Sequence, residues 1–484
     1  MINIGVIPSA GRGLRLIPYT ENTPKTLFEI GGKTLLERNI DILVHKIKVK
    51  KIYIIHGHLG HQIIESVERH RYSGVEIEYV ECAQPEVGLA NGLFLLKDFI
   101  FEPFVVLLGD ELYLKTNHEI LLSLPQGAFD AACGYMVTGD ATKIRNNYGL
   151  TISDNKIQSL NEKPGQLDNN FLGCGTFVFT PKIFDYINMT PPSSRTHRVE
   201  LIDAIDLLAK TEHRVIAVEL KGSYQNINQA SDYISATHLH RKKHFSEYKT
   251  SLVIPAYNEG ASLHFVIEEF LGKVDEIIIA ASFSEDDTVA IAQKSGCKTI
   301  VKKFSGYGDA LRQGMDQASG DILILVEADG SFSADDLPKL LSYLEDADMV
   351  IGTRTTKQMI QQGANMNRLL RWGNVIAAKI MQVLWLSQEP RFTDLGCTYR
   401  ALWKDCYTVI KKNLKANGPE FSPEMMVEVM NAKRKIIEIP VTYRPRIGGH
   451  SKHSANLMAV TKTGVKMLFL IFRKRIIHAL KNDS

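Results

Sequence analysis

Several short runs in this chain put glycines, cations and paired acids where phosphate chemistry would use them. Ser9-Ala10-Gly11-Arg12-Gly13-Leu14-Arg15 follows an apolar run directly. Gly11 and Gly13 would let backbone N–H groups approach a polyphosphate, and Arg15 would add charge-assisted hydrogen bonds. Ten residues on, Thr23-Pro24-Lys25 adds a second cation, and Gly109-Asp110 closes another apolar run, Phe104–Leu108. In the second half, Ser251–Pro255 runs into Ala256-Tyr257-Asn258-Glu259, and Ile322–Val326 runs into Glu327-Ala328-Asp329-Gly330-Ser331. Two carboxylates one residue apart suit a divalent cation bound to diphosphate oxygens.

These residues need elements to hold them. Apolar runs alternate with helical patterns throughout, which is the α/β signature. Strands are expected at Ile2–Ile7, Lys51–Ile55, Val75–Val80, Phe104–Leu108, Ala131–Val137 and Thr176–Phe179, with helices at Thr34–Lys46 and Glu200–Lys210. A second series covers Ser251–Pro255, Glu276–Ala280, Thr299–Val301, Ile322–Val326 and Met349–Gly352. The fold class is therefore α/β, with two Rossmann-like, mostly parallel-sheet domains and a basic helical tail. Acids at strand C-terminal ends lie where open α/β sheets bind ligands. The His-, Lys- and Arg-rich stretch 236–248 reads as a solvated helix end plus linker. The expected divisions are 1–240, a linker at 241–248, 249–455 and the tail 456–484.

Composition narrows the class. Of 484 residues, 44% are hydrophobic and 23% charged, as in a folded globular protein. Six scattered cysteines without a C-x-x-C pair argue for a reducing cytoplasm and against a disulfide framework or zinc site. The formal net charge is +3, yet Lys433–Ser484 holds twelve Lys/Arg against two acids, leaving a mildly acidic body. That profile excludes a nucleic-acid-binding surface spread over a domain and suits a tail facing phosphate groups. No apolar run reaches the ~20 residues that span a bilayer, and the N-terminus does not read as a signal peptide.

The first half carries further motifs in order: Gln84…Gly88-Leu89-Ala90, Tyr148-Gly149, Glu162-Lys163-Pro164, Gly175, Glu200…Asp203 and Asn226…Asp232-Tyr233. With the glycine loop, Lys25 and Asp110, this order over about residues 1–235 resembles the sugar-1-phosphate nucleotidylyltransferases. The resemblance implies that Gly11, Gly13, Arg15 and Lys25 hold a nucleoside triphosphate, with Arg15 and Lys25 catalytic. It assigns base contacts to Gln84 and Gly88, the sugar 1-phosphate to Glu162, Lys163 and Gly175, and Mg²⁺ to Asp110 and Asn226. Asn226 stands where Asp is common in that family. A catalytically silent nucleotide-sugar-binding scaffold, or a CTP-dependent transferase for a non-sugar phosphate, are the alternatives.

The second half continues with Gly306-Tyr307-Gly308-Asp309, Gly352-Thr353-Arg354, Thr393-Asp394-Leu395-Gly396, Pro423-Glu424 and Tyr443-Arg444-Pro445-Arg446…Ser451-Lys452. Over about residues 249–475 this resembles inverting GT-A glycosyltransferases, the dolichyl- and polyprenyl-phosphate mannose or glucose synthases in particular. The resemblance implies a nucleotide site at Pro255, Tyr257, Glu259 and Asp286, and a metal pair, Glu327 and Asp329, for Mg²⁺ or Mn²⁺. It also implies a catalytic Asp394 beside the acceptor, and phosphate ligands Arg444, Arg446, Ser451 and Lys452. An Asp-Asp pair that usually helps hold the base is replaced here by Ala281-Ser282-Phe283.

A bifunctional enzyme is therefore expected, making a nucleotide sugar and passing the sugar to polyprenyl phosphate for cell-surface glycan synthesis; a soluble acceptor is the rival. Asn456–Leu480 reads as an amphipathic helix, with Arg473-Lys474-Arg475 behind Met467–Phe472. It is expected either to pack on the core or to lie peripherally on an anionic membrane from the cytoplasmic side.

Overall fold

The computed structural model describes residues 2–17, 20–70, 72–125, 127–388, 390–448 and 457–482. The chain divides into two units, Met1–His240 and Arg241–Ser484.

In the first unit, besides a two-residue hairpin of Glu29–Ile30 with Lys33–Thr34, the strands are β1 (Ile4–Ser9), β2 (Lys51–His56), β3 (Glu76–Glu81), β4 (Phe104–Leu107), β5 (Glu111–Leu114), β6 (Ala131–Val137), β7 (Tyr148–Ser153), β8 (Lys156–Glu162), β9 (Phe171–Phe179), β10 (Val215–Glu219) and β11 (Ser223–Asn226). Nine of them form one sheet in the order β3-β2-β1-β4-β9-β6-β10-β8-β7, while β5 and β11 pair separately. The run β3-β2-β1-β4 is parallel, and antiparallel pairings begin at β9. Strands β1 and β4 are buried almost throughout, as the continuous apolar runs Ile4–Ile7 and Phe104–Leu107 require of a central parallel strand. The helix Leu35–Asp41 starts at a capping box. Glu37 N–H donates to Thr34 Oγ1 at 3.1 Å and Thr34 N–H to Glu37 Oε2 at 2.6 Å. The remainder of the expected helix, Ile42–Ile47, is a π-helical turn that ends at Lys48 with φ 62°.

The second unit has β12 (Thr250–Ala256), β13 (Glu276–Ala281), β14 (Lys298–Val301), β15 (Ile322–Leu325), β16 (Met349–Thr353), β17 (Arg400–Trp403) and β18 (Ile436–Pro440). Their order is β14-β13-β12-β15-β17-β16-β18, parallel except where β17 runs against β15 and β16. In both units the chain lays down strands on one side of the first strand and then crosses to the other, between β1 and β4 and between β12 and β15. A crevice opens at such a switch.

Three helices of the second unit bear on its site: α1 (Arg368–Leu384), α2 (Phe421–Asn431) and α3 (Leu457–Asn482). Helix α3 packs on α1 and α2. Its Leu470 and Ile471 are buried, and Lys474 Nζ donates to Asn413 O (2.7 Å) and pairs with Glu424 (3.0 Å) and Glu428 (2.7 Å).

Two expectations change here. Lys474, grouped with Arg473 and Arg475 as an outward cation, is buried on two α2 carboxylates, because Glu424 and Glu428 one helical turn apart form its socket. The stretch around 236–248 is not a solvated helix end. His240 is buried, and so is Arg241, which pairs with Asp348 (3.0 Å) and Asp405 (2.6 Å) and lies 4.2 Å from the Trp403 ring centre. A guanidinium met by two carboxylates and an aromatic face is stable where a lone cation would not be. No helix among the described residues is long and apolar enough to cross a membrane.

Candidate functional site

The first site lies at the C-terminal ends of β1 and β4. Gly13 adopts φ 63°, a left-handed conformation that a side chain would strain, and its carbonyl accepts bonds from Thr20 Oγ1 (2.9 Å) and Leu16 N–H (2.8 Å). The loop thus turns back on itself and presents Arg15, whose guanidinium donates to Asn228 Oδ1 at 3.3 Å. Asn228 is set in turn by Asp232, which accepts the N–H groups of Asn228 and Gln229 at 2.9 Å each. Lys25 forms an ion pair with Asp110 just beyond β4, so cation and acid meet from positions 85 residues apart.

The second proposed oxygen ligand, Asn226, is at the end of β11, directly across from Glu111, and Ile227 N–H donates to Asp110 O at 3.0 Å. Asn226 Nδ2 donates to Asn147 Oδ1 (2.8 Å), while its Oδ1 is buried without a partner among the described residues. A buried orphan oxygen, on a residue whose next neighbour bonds the Asp110 backbone, is the donor type a hard cation such as Mg²⁺ takes. The Asn147 carbonyl also accepts Lys163 N–H at 2.7 Å, so one asparagine that no sequence motif marks joins the end of β11 to the Glu162-Lys163 segment. Glu162 pairs with Arg195 (3.1 Å); burial, then the neighbouring Glu200, raises its pKa.

Glu111 anchors the floor. It accepts Gly175 N–H (2.7 Å), Tyr113 OH (2.5 Å) and Tyr224 OH (2.6 Å), and burial followed by the adjacent Asp110 pushes its pKa up to about 7. Gly175, expected on the sugar phosphate, is therefore beneath the site: it is buried, its N–H is taken by Glu111, and a Cβ there would fall 2.5 Å from Leu108 Cγ. Gln84 is exposed, and Gly88, at φ 101°, opens the helix Leu89–Phe94. Gly11 has open space around its Cα, as a loop facing a ligand would.

The second site is a cavity of about 1110 Å³ at the ends of β12–β15, with Pro255, Tyr257, Glu259 and Glu327 in its wall. Glu327 accepts Thr398 Oγ1 (2.6 Å), and Thr398 is tied to Tyr307 OH (2.6 Å). Asp329 accepts Ser331 Oγ (2.6 Å) and N–H (2.9 Å). The segment Tyr443–Ile447 runs beside residues 329–332, with Ile447 N–H donating to Asp329 O and Arg444 N–H to Ser331 O. It carries Arg446 onto the acid pair, 3.0 Å from Asp329 and 3.6 Å from Glu327. Burial, then Asp329, raises the Glu327 pKa, as expected of two acids sharing a pocket. The same two causes push Glu259 up to about 7. Carboxylates that repel, one of them buried, need a cation; Arg446 is that cation here, and two acid side chains of this kind are the oxygen donors a divalent ion takes.

Three expected ligands of this site have other work. Arg444 lies on Glu269 (3.0 and 3.2 Å) and bonds Ser333, so its guanidinium is spent on a carboxylate instead of a phosphate. Asp286, expected on the nucleotide, accepts Gly260 N–H (2.8 Å), Thr288 N–H (3.1 Å) and Thr288 Oγ1, and so closes the loop after β12. Asp394 is 1% exposed and forms a two-pronged pair with Arg354 (2.8 and 2.9 Å), while also accepting the N–H groups of Arg354 and Gly396. Burial alone would raise its pKa, but Arg354 outweighs burial and holds Asp394 below the usual carboxylate range. This geometry suits an anchor for Arg354, not a proton acceptor. Glu438, unremarked in the sequence, fixes the loop by accepting Thr393 and Asp394 N–H at 2.9 Å. Ser451 and Lys452 lie outside the described residues.

Each half of the chain is similar to known proteins. Residues 4–243 match the nucleotidyl transferase family. The UTP–glucose-1-phosphate uridylyltransferase AglF of Haloferax volcanii is 30% identical over 229 residues, 47% of this chain and 92% of that protein. The chain belongs to the nucleotidyl transferase family. Residues 251–402 match glycosyl transferase family 2, so this nucleotidyl transferase is an enzyme with a second transferase domain behind the first. The low-salt glycan biosynthesis nucleotidyltransferase Agl11 of the same organism is 29% identical over 240 residues, 49% of this chain and 65% of that protein. A crystal structure of UDP-glucose pyrophosphorylase with UDP-glucose superposes with a TM-score of 0.46 at 23% identity, covering 50% of this chain and all of that one.

Proposed function

We propose that the first unit joins a nucleoside triphosphate to a sugar 1-phosphate, releasing pyrophosphate, and that the second transfers the sugar to polyprenyl phosphate at a membrane surface. The observation that carries this reading is the repetition of one arrangement: a polar loop after the first strand and an acid after its neighbour, in both units of one chain.

In the first unit a sugar-phosphate oxygen attacks the α-phosphorus; the new P–O bond forms as the bond to the β-phosphate breaks, and pyrophosphate carries away the charge. No protein nucleophile is needed. Arg15 and Lys25 neutralise the equatorial oxygens, and the turned-back loop holds the triphosphate against them. Mg²⁺ held by Asp110 and Asn226 Oδ1 would supply further screening of the α-phosphate. Lys163, hung on Asn147, reaches the sugar phosphate.

In the second unit Glu327 and Asp329 would hold Mg²⁺ or Mn²⁺, which supplies charge screening for the departing diphosphate. Arg446 then leaves the acids for a phosphate, and Arg354, fixed by Asp394, steadies the acceptor. A phosphate monoester is already anionic near neutral pH, so attack on the sugar carbon requires no general base. That agrees with an Asp394 whose oxygens are all engaged.

The membrane part rests on two helices. On α1, Leu369, Trp372, Ile376 and Val383 are exposed at i, i+3, i+7 and i+14; on α3, Val465, Phe469, Phe472, Ile476 and Leu480 follow the same outward stripe. Exposed Lys462, Lys466 and Arg473 flank it. Apolar side chains outward with cations beside them match a helix in the interface of an anionic bilayer. A panel of triphosphates and sugar 1-phosphates with pyrophosphate readout tests the first half. Vesicle flotation tests the second: salt-sensitive binding to anionic vesicles, lost in Trp372→Asp/Phe469→Asp, supports it, and equal binding of that variant contradicts it.

A further inference from the structure

We infer that Asn147 is a positioning residue of the first unit: it turns the Asn226 amide so that the oxygen, not the nitrogen, is left for a cation. This rests on the reading of Asp110 and Asn226 as oxygen donors for Mg²⁺.

The polarity is set one bond at a time, starting from a group that has no choice. A backbone carbonyl can only accept a hydrogen bond. The carbonyl of Lys143, in the helix Ala141–Asn146, accepts Asn147 Nδ2 at 3.1 Å. With its nitrogen committed there, Asn147 has Oδ1 to offer its neighbour, and Asn226 Nδ2 donates to that oxygen at 2.8 Å. The Asn226 amide is thereby fixed end for end. Its Oδ1 is what remains, buried and without a partner among the described residues. An acceptor left in that condition is costly, and a hard cation offsets the cost. A reversed Asn226 amide would set its oxygen against Asn147 Oδ1, two acceptors face to face, and turn N–H bonds toward the cation.

The backbone of Asn147 is held independently of this side chain. Its N–H donates to Ile144 O at 3.1 Å, and its carbonyl accepts Lys163 N–H at 2.7 Å. Replacing the side chain therefore removes the orienting acceptor and spares the tie to the Glu162-Lys163 segment. The effect on the cation passes through Asn226, as that of a partner behind a metal ligand does.

The test is calorimetric titration with Mn²⁺ of the full chain carrying Glu327→Ala/Asp329→Ala, so that the heat reports the first unit. Asn147→Ala should weaken Mn²⁺ about tenfold, because water in the vacated space donates as readily as it accepts and orients nothing. With Asn226→Asp also present, the same substitution should leave Mn²⁺ affinity unchanged or tighten it, since either carboxylate oxygen can face the ion. An equal loss in both backgrounds, or no loss in either, overturns the orienting role alone. Absence of Mn²⁺ binding, or an affinity that Asp110→Asn and Asn226→Ala leave unmoved, overturns the Mg²⁺ site and the orienting role with it.

Discussion

The two sites occupy the same place in their sheets but solve the charge problem differently. In the first, Asp110 meets Lys25 from the phosphate loop itself, and both side chains remain partly exposed, at 25% and 16%. In the second, Asp329 is 1% exposed and Glu327 beside it has a raised pKa, and their cation, Arg446, arrives from the segment after β18. A solvent-screened pair needs little support. A buried acid pair is stable only with a cation in place. Position within an α/β sheet thus decides where the ligand goes, while burial decides whether the protein must keep a cation of its own there.

The comparison can be pressed first by activity. Asp110→Asn should lower nucleotidylyl transfer by about a thousandfold, ~4 kcal/mol of barrier, and leave glycosyl transfer from a supplied nucleotide sugar unchanged. Glu327→Gln should do the reverse, and a loss of both activities in either variant would mean that the sites are not separate. Next in size is Arg446→Ala. Stranding Asp329 without its partner should cost about 2–3 kcal/mol, below the value for a wholly buried pair because Arg446 is itself part-exposed. Thermal melting should show Mn²⁺ restoring more stability to this variant than to the unsubstituted protein. Lys25→Ala, at the more open site, should lose under about 1 kcal/mol.

A smaller, pH-dependent effect separates the loops. Burial pushes Glu438 from 4.5 to about 7, against the bonds from Thr393 and Asp394 that lower it. The folded protein then keeps this proton between about pH 4.5 and 7 while the unfolded chain releases it. Its contribution is full below 4.5 and is lost as pH rises through 7. Melting curves of Glu438→Gln should therefore lack a fall in stability over that window that the unsubstituted protein shows. At Gly13 of the first unit the cost is not tied to pH: Gly13→Ala should lose about 1 kcal/mol or more at every pH, from the left-handed backbone and from a Cβ that would stand 2.8 Å from Thr20 Cγ2.

Much of this was legible because parallel strands buried on both faces are unbroken apolar runs, and acids or glycines that end them are conspicuous. Gly13, Asp110, Glu327 and Asp329 all follow such runs. The residues that join sites across the chain were not legible. Asn147 links Asn226 to Lys163 through a side-chain amide and a carbonyl, and neither depends on a pattern in sequence. Arg444 and Arg446 are alike as letters, two residues apart, yet Glu269 claims one and the acid pair the other. The outward stripe of α1 was missed because its apolar residues have the same helical period as a core face. Only the packing of α1 reveals that they point away.

The central claim is that one chain makes a nucleotide sugar and then spends it. Mass spectrometry of the products formed by the purified full chain, given a triphosphate panel, sugar 1-phosphates and polyprenyl phosphate in Mg²⁺, tests it most directly. The account predicts pyrophosphate and a polyprenyl phosphate heavier by one sugar, formed only when triphosphate, sugar 1-phosphate and lipid phosphate are all present, and absent with Asp110→Asn unless nucleotide sugar is added. A nucleotide sugar that accumulates without ever labelling the lipid, or a lipid labelled only by a nucleotide sugar the first unit cannot make, would contradict it.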